Sequence, residues 1–265
     1  MNFVINLLFK LFIENGATLD KLVVYFSDSL KLKPEIFYLL EQNMQFISHL
    51  QYLSLSNVAF SNIGSTTTFL RTLAKYATKI KDLKLAYNSY KASPLYYIIQ
   101  IIKSQEQLRL INLNGIGYPS EFYCIISALE SQKNLLQEAI IEDCIWSSEF
   151  AILKNCKNLD TFRIRNCDMK LLKILNCKIS ILEMDDNYRN VDVSTITQIL
   201  EMSGLILKQL KLSSMLKVDE ETSILELEAL KSFCPNITYL NLGHIKFFTQ
   251  LIEIISNLQI YNFSH

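Results

Sequence analysis

A short apolar phrase returns about ten times along this chain. It has the form Leu-x-x-Leu-x-Leu-x-x-Asn/Cys, with other apolar residues allowed at the leucine positions. The copies begin at Leu19, Leu50, Ile80, Leu108, Leu136, Leu159, Ile179, Leu207, Ile237 and, imperfectly, Leu258. A phrase that returns every 20–31 residues indicates one supersecondary unit repeated many times, because each unit must hide its apolar side chains against the next.

Each repeat has two halves with different periods. In the first half, apolar residues alternate with others, as at Leu53 and Leu55, which is typical of a strand buried on one face. The second half favours a helix, because Ser93 can cap it and Pro94 suits its first turn. Similar helix starts occur at Lys33-Pro34-Glu35, Tyr118-Pro119-Ser120-Glu121, Ser147-Ser148-Glu149, Asp192-Val193-Ser194 and Asp219-Glu220-Glu221.

Strand, turn, helix, turn, repeated at this interval, is the signature of a leucine-rich repeat solenoid. We therefore expect an α/β fold with one solenoid domain over residues 1–265, about nine or ten repeats long. Its parallel strands should line the concave face of a horseshoe and its helices the convex face. One side of one continuous parallel sheet should bury Leu53, Leu83, Ile111, Phe162, Leu182, Leu210 and Leu240.

Two details of the repeats carry further expectations. The repeats opening at Leu159 and Ile179 are expected to be the short ones, with room for about two helical turns. Both ends should expose apolar surface, since residues 2–13 form an apolar helix without a cap and the last repeat has no helix. This predicts that the chain is part of a longer protein, or that another chain covers its ends.

Composition argues against several partners. The chain has 26 basic and 26 acidic residues, whereas domains that bind nucleic acid are usually basic. The apolar N-terminal run contains Lys10, lacks a basic start and a clear cleavage site, and is too short to cross a bilayer. We expect it to be a buried helix of the solenoid, and we expect no nucleic acid or membrane partner.

The six cysteines fit packing better than chemistry. Cys144 and Cys167 occupy the ninth position of the phrase, where a small side chain turns inward, and none of the six forms a C-x-x-C pair. Cys156, Cys177 and Cys234 come just before a repeat, at the buried end of a helix. A disulfide or metal site is the alternative to packing, but reduced, buried thiols predict an intracellular protein, cytoplasmic or nuclear.

Catalysis finds little support in the sequence. The three histidines, His49, His244 and His265, flank strands or end the chain, and no nucleophile elbow or phosphate-binding loop occurs. Glu142 and Asp143 are adjacent on a strand and should point to opposite faces. We therefore expect no enzyme, no cofactor and no metal site.

Outward-facing strand positions offer two candidate binding surfaces. Charges alternate between neighbouring strands, from Glu138 and Glu142 to Arg163 and Arg165, then to Glu183 and Asp185, and finally to Lys211. Neighbouring strands lie about 4.8 Å apart, so lateral ion pairs should form. These rows are either a solvated face that neutralises itself or a recognition patch for a charged peptide segment. The second surface consists of Tyr25, Tyr52, Val23 and Leu110, which are either interface anchors or edge packing of the solenoid.

Three phrases carry a resemblance to a known family: Leu159-Asp-Thr-Phe-Arg-Ile-Arg-Asn-Cys167, Ile237-Thr-Tyr-Leu-Asn-Leu and Asn155-Cys156-Lys157-Asn158-Leu159. Repeats of this length, with Cys alternating with Asn at the ninth position, resemble ribonuclease-inhibitor-like, cysteine-containing leucine-rich repeats. The chain as a whole resembles the leucine-rich half of fungal F-box proteins. That resemblance implies a module that selects the substrates of an SCF-type ubiquitin ligase.

The resemblance also implies a cullin-ligase linker subunit as a partner if an F-box lies upstream. Lys33-Pro34-Glu35-Ile36 echoes the opening of an F-box helix. Only one helix fits between the strands at Leu19 and Leu50, however, so we interpret the echo as a repeat helix and detect no F-box. The alternative is a stand-alone binding or inhibitor protein that uses the same arc and has no link to ubiquitination. A GTPase-activating repeat protein is a more distant candidate.

Overall fold

A computed structural model of the chain describes residues 2–26, 33–56, 63–86, 94–115, 121–174, 179–186, 193–214 and 229–242. The chain divides into two compact units. Unit 1 is Met1–Leu136 with Asn155–Asn158, and unit 2 is Gln137–Lys154 with Leu159–His265. In both units short parallel strands alternate with helices, which confirms the expected α/β alternation.

The described residues before position 137 form four strands. Its elements are α1 (Asn2–Glu14), β1 (Lys21–Tyr25), α2 (Pro34–Gln42), α3 (Gln45–Ser48), β2 (Tyr52–Ser56), α4 (Ile63–Tyr76), β3 (Asp82–Ala86), α5 (Leu95–Lys103), β4 (Leu110–Asn114), α6 (Glu121–Ala128) and a 3-10 helix (Leu129–Gln132). The strands pair in chain order, all parallel, without a shift in register. The second leucine of the phrase therefore forms one buried row, Leu53, Leu83 and Ile111.

Helix starts follow the sequence signals where both are described. α2 begins at Pro34, directly after the residue that we expected to open it, and α5 begins at Leu95, directly after Pro94. The F-box-like segment is thus part of a helix between β1 and β2, as expected. The expectation of a single helix there was wrong, because α2 ends at Gln42 and leaves room for the short helix α3 before β2. The helix start at 219–221, the strand expected at Leu258, and Cys177, His244 and His265 lie outside the described residues.

The elements after residue 136 include five strands. They are β5 (Glu138–Glu142), a 3-10 helix (Ser148–Asn155), β6 (Thr161–Arg165), a second 3-10 helix (Met169–Ile174), β7 (Ile181–Asp186), α7 (Val193–Ser203), β8 (Gln209–Ser214) and β9 (Tyr239–Leu242). Residues 229–233 are also helical. The five strands pair in chain order and are parallel, again without a register shift.

One expectation about the short repeats was wrong. β5 and β6 are followed by 3-10 helices, whereas the repeat opening at Ile179 continues into α7, a full α-helix of 11 residues. The spacing from one phrase to the next sets the room for a helix, so the short repeats open at Leu136 and Leu159. A 3-10 helix rises more per residue than an α-helix and spans the same strand-to-strand return with fewer residues.

Burial follows the expected pattern with two exceptions. Phe162, Leu182 and Leu210 are buried, but Leu240 on β9 is only half-buried. Among the described residues β9 has a neighbouring strand on one side only, so less surface covers it. The N-terminal helix was expected to be buried, but only one of its faces is buried. Ile13 on that face is buried, whereas Leu7 and Leu11 are about half exposed.

A glutamine pair joins successive turns of unit 1 and was not anticipated from the sequence. The Gln105 side chain accepts a hydrogen bond from the Ile80 N–H at 2.9 Å and donates one to the Ala77 carbonyl at 2.9 Å. Gln132 follows 27 residues later and donates to the carbonyls of Ile102 and Gln105. These bonds satisfy buried backbone groups at helix ends, which would otherwise cost free energy.

Candidate functional site

The outward-facing charges of unit 2 form one connected group, here named the charged ladder. It consists of Glu138 and Glu142 on β5, Arg163 and Arg165 on β6, and Glu183 and Asp185 on β7. Strand alternation puts these side chains on the face opposite the buried Phe162 and Ile164. The lateral ion pairs predicted from the sequence are therefore present.

Arg163 is the tightly held arginine. Its Nη1 donates a hydrogen bond to Glu183 Oε1 at 3.0 Å, straight across to the facing residue of β7. Its Nε lies 2.9 Å from Glu138 Oε1. No described atom accepts the Nε–H in a well-aligned hydrogen bond, so this second contact is charge attraction alone. Arg163 faces Ile140 in the register and reaches Glu138 along a diagonal, past the buried Thr161.

Arg165 is held more loosely. Its Nη1 lies 3.7 Å from Glu142 Oε1 and its Nε lies 3.6 Å from Asp185 Oδ2. Both acids face it directly in the register, but neither distance is that of a hydrogen bond. The side chain is 56% exposed, against 36% for Arg163. Arg165 is thus the cation of the ladder that a partner can reach most easily.

Lys211 extends the alternation to β8. It faces Glu183 in the register, and within the described part of the chain it forms no ion pair at 4 Å or less. Lys211, Arg165 and Asp185 border a shallow depression of about 160 Å³. Ligand sites for small molecules usually exceed about 300 Å³, so this depression suits one side chain of a protein partner rather than a cofactor.

Two residues with left-handed backbone close the ends of β5 and β6. Asp143 has φ 52° and Asn166 has φ 51°, a conformation that Asn and Asp tolerate better than most residues. The Asn166 side chain donates to Asp143 Oδ1 at 3.1 Å, and each backbone N–H donates to the carbonyl of the next strand. They hold the strand ends that carry Glu142, Arg165 and Asp185. The sequence signal, an Asp or Asn directly before the ninth-position cysteine, was available but was not used.

The ninth-position cysteines cap backbone groups, as expected. Cys167 Sγ donates to the carbonyls of Ile141 and Arg165 at 3.3 and 3.1 Å and accepts the Cys144 N–H at 3.4 Å. Cys144 and Cys167 are both buried. These thiols therefore serve the turn after the strand, which is the packing role inferred from the sequence.

Two other thiols are strongly disfavoured as thiolates. Burial, helped by the Glu130 carboxylate, raises the pKa of Cys156 to about 11. Burial alone raises the pKa of Cys234 to about 12. Because the thiolate is the nucleophile and the metal ligand, neither cysteine is suited to either role near neutral pH. In the described part of the chain, no three His, Cys, Asp or Glu side chains are grouped so that they could hold a metal ion.

The tyrosines predicted as a second surface lie in unit 1, and the structure does not bring them together. Tyr25 ends β1 facing Ser56, and Tyr52 begins β2 facing Lys21. The Lys21 ammonium sits over the Tyr52 ring at 4.6 Å from its centroid, so Tyr52 is already engaged within the sheet. Tyr25 and Val23, by contrast, are 63% and 61% exposed. Tyr25 is therefore the more exposed of the two predicted tyrosines.

A scan against protein-family models returned no match, and a search of curated proteins returned none either. None of the helices in the described residues has the length and apolar character needed to cross a membrane.

Proposed function

We propose that this chain is a leucine-rich repeat solenoid that binds another protein through the outward face of its parallel strands. The observation that carries the proposal is the exposure of that face. Tyr25 and Val23 in unit 1, and Arg165 in unit 2, project from regular strands and are more than half exposed. Rigid strands with exposed aromatic and charged side chains provide pre-organised anchors for a protein partner.

The two surfaces contribute differently to binding. Tyr25 stands beside the small residues Ser56 and Ala86 of the same row, so a partner side chain can pack against its ring. The charged ladder is mostly satisfied within itself, and charges of this kind set orientation and on-rate more than affinity. We infer that Tyr25 supplies affinity for a partner bound on unit 1, and that Arg165 and Lys211 favour acidic segments of a partner bound on unit 2.

The finer proposal is that the bound protein is a substrate of an SCF-type ubiquitin ligase. It rests on the resemblance of the repeats to those of fungal F-box proteins. A stand-alone binding or inhibitor protein is the competing proposal, and it uses the same face. In both cases the chain acts by binding rather than by catalysis.

Affinity capture with the full chain, followed by mass spectrometry, tests the proposal. Tyr25→Ala should lose a specific partner that the unaltered chain captures. Tyr96→Ala is the matched control, because Tyr96 is 62% exposed but lies on helix α5. Arg165→Ala should weaken capture of a partner that binds the charged ladder, whereas Arg71→Ala, on the exposed side of α4, should not.

The outcomes separate the alternatives. Loss of partners with Tyr96→Ala and not with Tyr25→Ala would place the binding surface on the helices and refute the proposal. Cullin and a Skp-type linker among the proteins captured by the full-length gene product would support the ligase role. A partner captured through Tyr25 in the absence of both would favour the stand-alone module.

A further inference from the structure

Helix α1 carries an apolar stripe that the rest of the described chain leaves in water. The stripe consists of Val4, Leu7, Leu8, Leu11 and Phe12, which are between 43% and 56% exposed. Their spacing of three and four residues puts them on one face of the helix. The opposite face is buried: Ile13 is 1% exposed, Asn6 accepts a hydrogen bond from the Lys33 N–H, and the Phe9 ring contacts Phe46 edge to face at 6.1 Å.

The exposed apolar area of this α1 stripe is about what one partner contributes to a small protein–protein interface. Five apolar side chains with half of their surface in water expose on the order of 500 Å² in one patch, the upper end of what a monomer usually leaves open. Two such stripes facing each other would remove about 1,000 Å² from water, which is the lower bound for a specific protein–protein interface. The stripe alone is therefore large enough to hold a second copy of this chain with modest affinity.

The pattern of the stripe also matches itself when it is reversed. With a two-fold axis between Leu7 and Leu8, Leu7 faces Leu8 of the second copy, and Val4 faces Leu11. A closed two-fold dimer requires such a self-complementary patch. We propose that the chain self-associates through α1, with the two α1 helices packed antiparallel.

Charge on the helix favours this partner over a lipid surface. The described side chains of α1 include one cation and one anion, Lys10 and Glu14, which pair with each other at 3.8 Å. Amphipathic helices that bind membranes usually carry several basic residues on the polar face. A helix with a neutral flank instead lets two identical copies approach without repulsion.

Sedimentation velocity of the full chain over a range of concentrations tests the proposal. We expect a monomer–dimer equilibrium with a dissociation constant on the order of 10 µM, as for small interfaces. Leu8→Glu should weaken the dimer at least tenfold without changing the circular dichroism spectrum. Leu205→Glu is the matched control: Leu205 is 72% exposed but lies in unit 2, and its replacement should leave the equilibrium unchanged.

Disulfide trapping tests the antiparallel arrangement. In a Cys124→Ser, Cys177→Ser background, which removes the one exposed thiol of the described residues and the cysteine outside them, Leu8→Cys should cross-link to itself. Val4→Cys should not, because the two copies of that position would lie about 10 Å apart along the helix axis. A mixture of Val4→Cys and Leu11→Cys chains should cross-link to each other, as peptide mapping would show.

Three results would overturn the proposal. The first is a chain that stays monomeric up to about 300 µM, well above the expected dissociation constant. The second is self-cross-linking of Val4→Cys, which would mean a parallel arrangement. The third is a monomer that co-sediments with phosphatidylcholine or phosphatidylserine vesicles and loses that binding with Leu8→Glu, which would assign the stripe to a membrane surface instead.

Discussion

Arg163 and Arg165 are two residues apart on one strand and have the same kinds of neighbour, yet they are held differently. Arg163 has contacts of 2.9 and 3.0 Å to its two carboxylates, and Arg165 has contacts of 3.7 and 3.6 Å. Short, partly buried pairs gain more than long, exposed ones, because water screens the latter. Within the charged ladder, Arg163 therefore mainly links neighbouring strands, whereas Arg165 is the arginine that a partner can reach more easily.

Double-mutant cycles to alanine measure this difference. The coupling free energy of Arg163 with Glu183 should be about 1 kcal/mol, and that of Arg165 with Asp185 should be below about 0.5 kcal/mol. Urea unfolding at low ionic strength provides the values, and both should shrink in molar salt. Equal couplings for the two pairs would contradict the distances seen here.

Buried thiols make the stability of the fold depend on alkaline pH. Well below pH 9, the ordinary thiol pKa, the thiols of Cys156 and Cys234 are protonated in both the folded and the unfolded chain. From there up to their raised pKa values of about 11 and about 12, the unfolded chain loses these protons and the folded chain keeps them. Stability should therefore fall as pH rises through that window.

At pH 10 each of the two thiols should cost the folded state about 1 kcal/mol relative to pH 8. Urea unfolding at both pH values measures the loss. Cys156→Ala and Cys234→Ala should each flatten the dependence, although both will lower stability at pH 8. Cys124→Ala is the control, because that thiol is exposed. If none of the three substitutions changes the fall in unfolding free energy between pH 8 and pH 10, that fall comes from the titration of other groups.

At the scale of the element, the repeat phrase predicted the strands and their register because it has a period of two, which only a strand places on one face. Helix starts at Pro34 and Leu95 were predictable because proline restricts the backbone locally, and neither helix has a side-chain cap. The hydrogen bond from the Ile80 N–H to the Gln105 side chain was not predictable, since it depends on which turns of the chain stack on each other. The sequence predicted which residues form the charged ladder. It did not predict the diagonal ion pair between Arg163 and Glu138, because that contact depends on how far the arginine side chain extends.

Neighbouring strands should differ in their tolerance of truncation. Leu210 on β8 and Leu240 on β9 face each other in the register, but Leu210 is fully buried and Leu240 is not. Leu210→Ala should cost about 2–5 kcal/mol, as for a fully buried leucine. Leu240→Ala should cost about 1 kcal/mol, because less apolar area leaves water. Thermal or urea unfolding compares them, and equal losses would contradict the partial exposure of β9.

Two glycines near or within helices should respond to alanine in opposite directions. A Cβ on Gly204, just after α7, would overlap the backbone carbonyl oxygens of Phe233 and Leu200, whereas a Cβ on Gly64 in α4 would meet no atom within 4 Å. Gly204→Ala should therefore destabilise the fold by at least about 1 kcal/mol. Gly64→Ala should stabilise it by about 0.5–1 kcal/mol, the usual gain within a helix. Chemical unfolding of both variants checks the signs.

At the scale of the whole molecule, self-association would make stability depend on concentration. If folded chains pair through the α1 stripe, mass action stabilises the folded state as concentration rises. The midpoint of thermal unfolding should then increase between micromolar and hundred-micromolar protein, and Leu8→Glu should abolish the increase. A constant midpoint in the unaltered chain would argue that the stripe is not buried by a second copy.

The charged ladder also bears on how the outward face can change during evolution. Each of its arginines is shared by two acids on different strands, so losing one acid leaves the cation still neutralised by the other. A single substitution of one of these acids therefore leaves no arginine without a carboxylate partner. The acids are Glu138, Glu142, Glu183 and Asp185. Such redundancy lets this surface drift one residue at a time toward a new specificity while the strands beneath it keep their order.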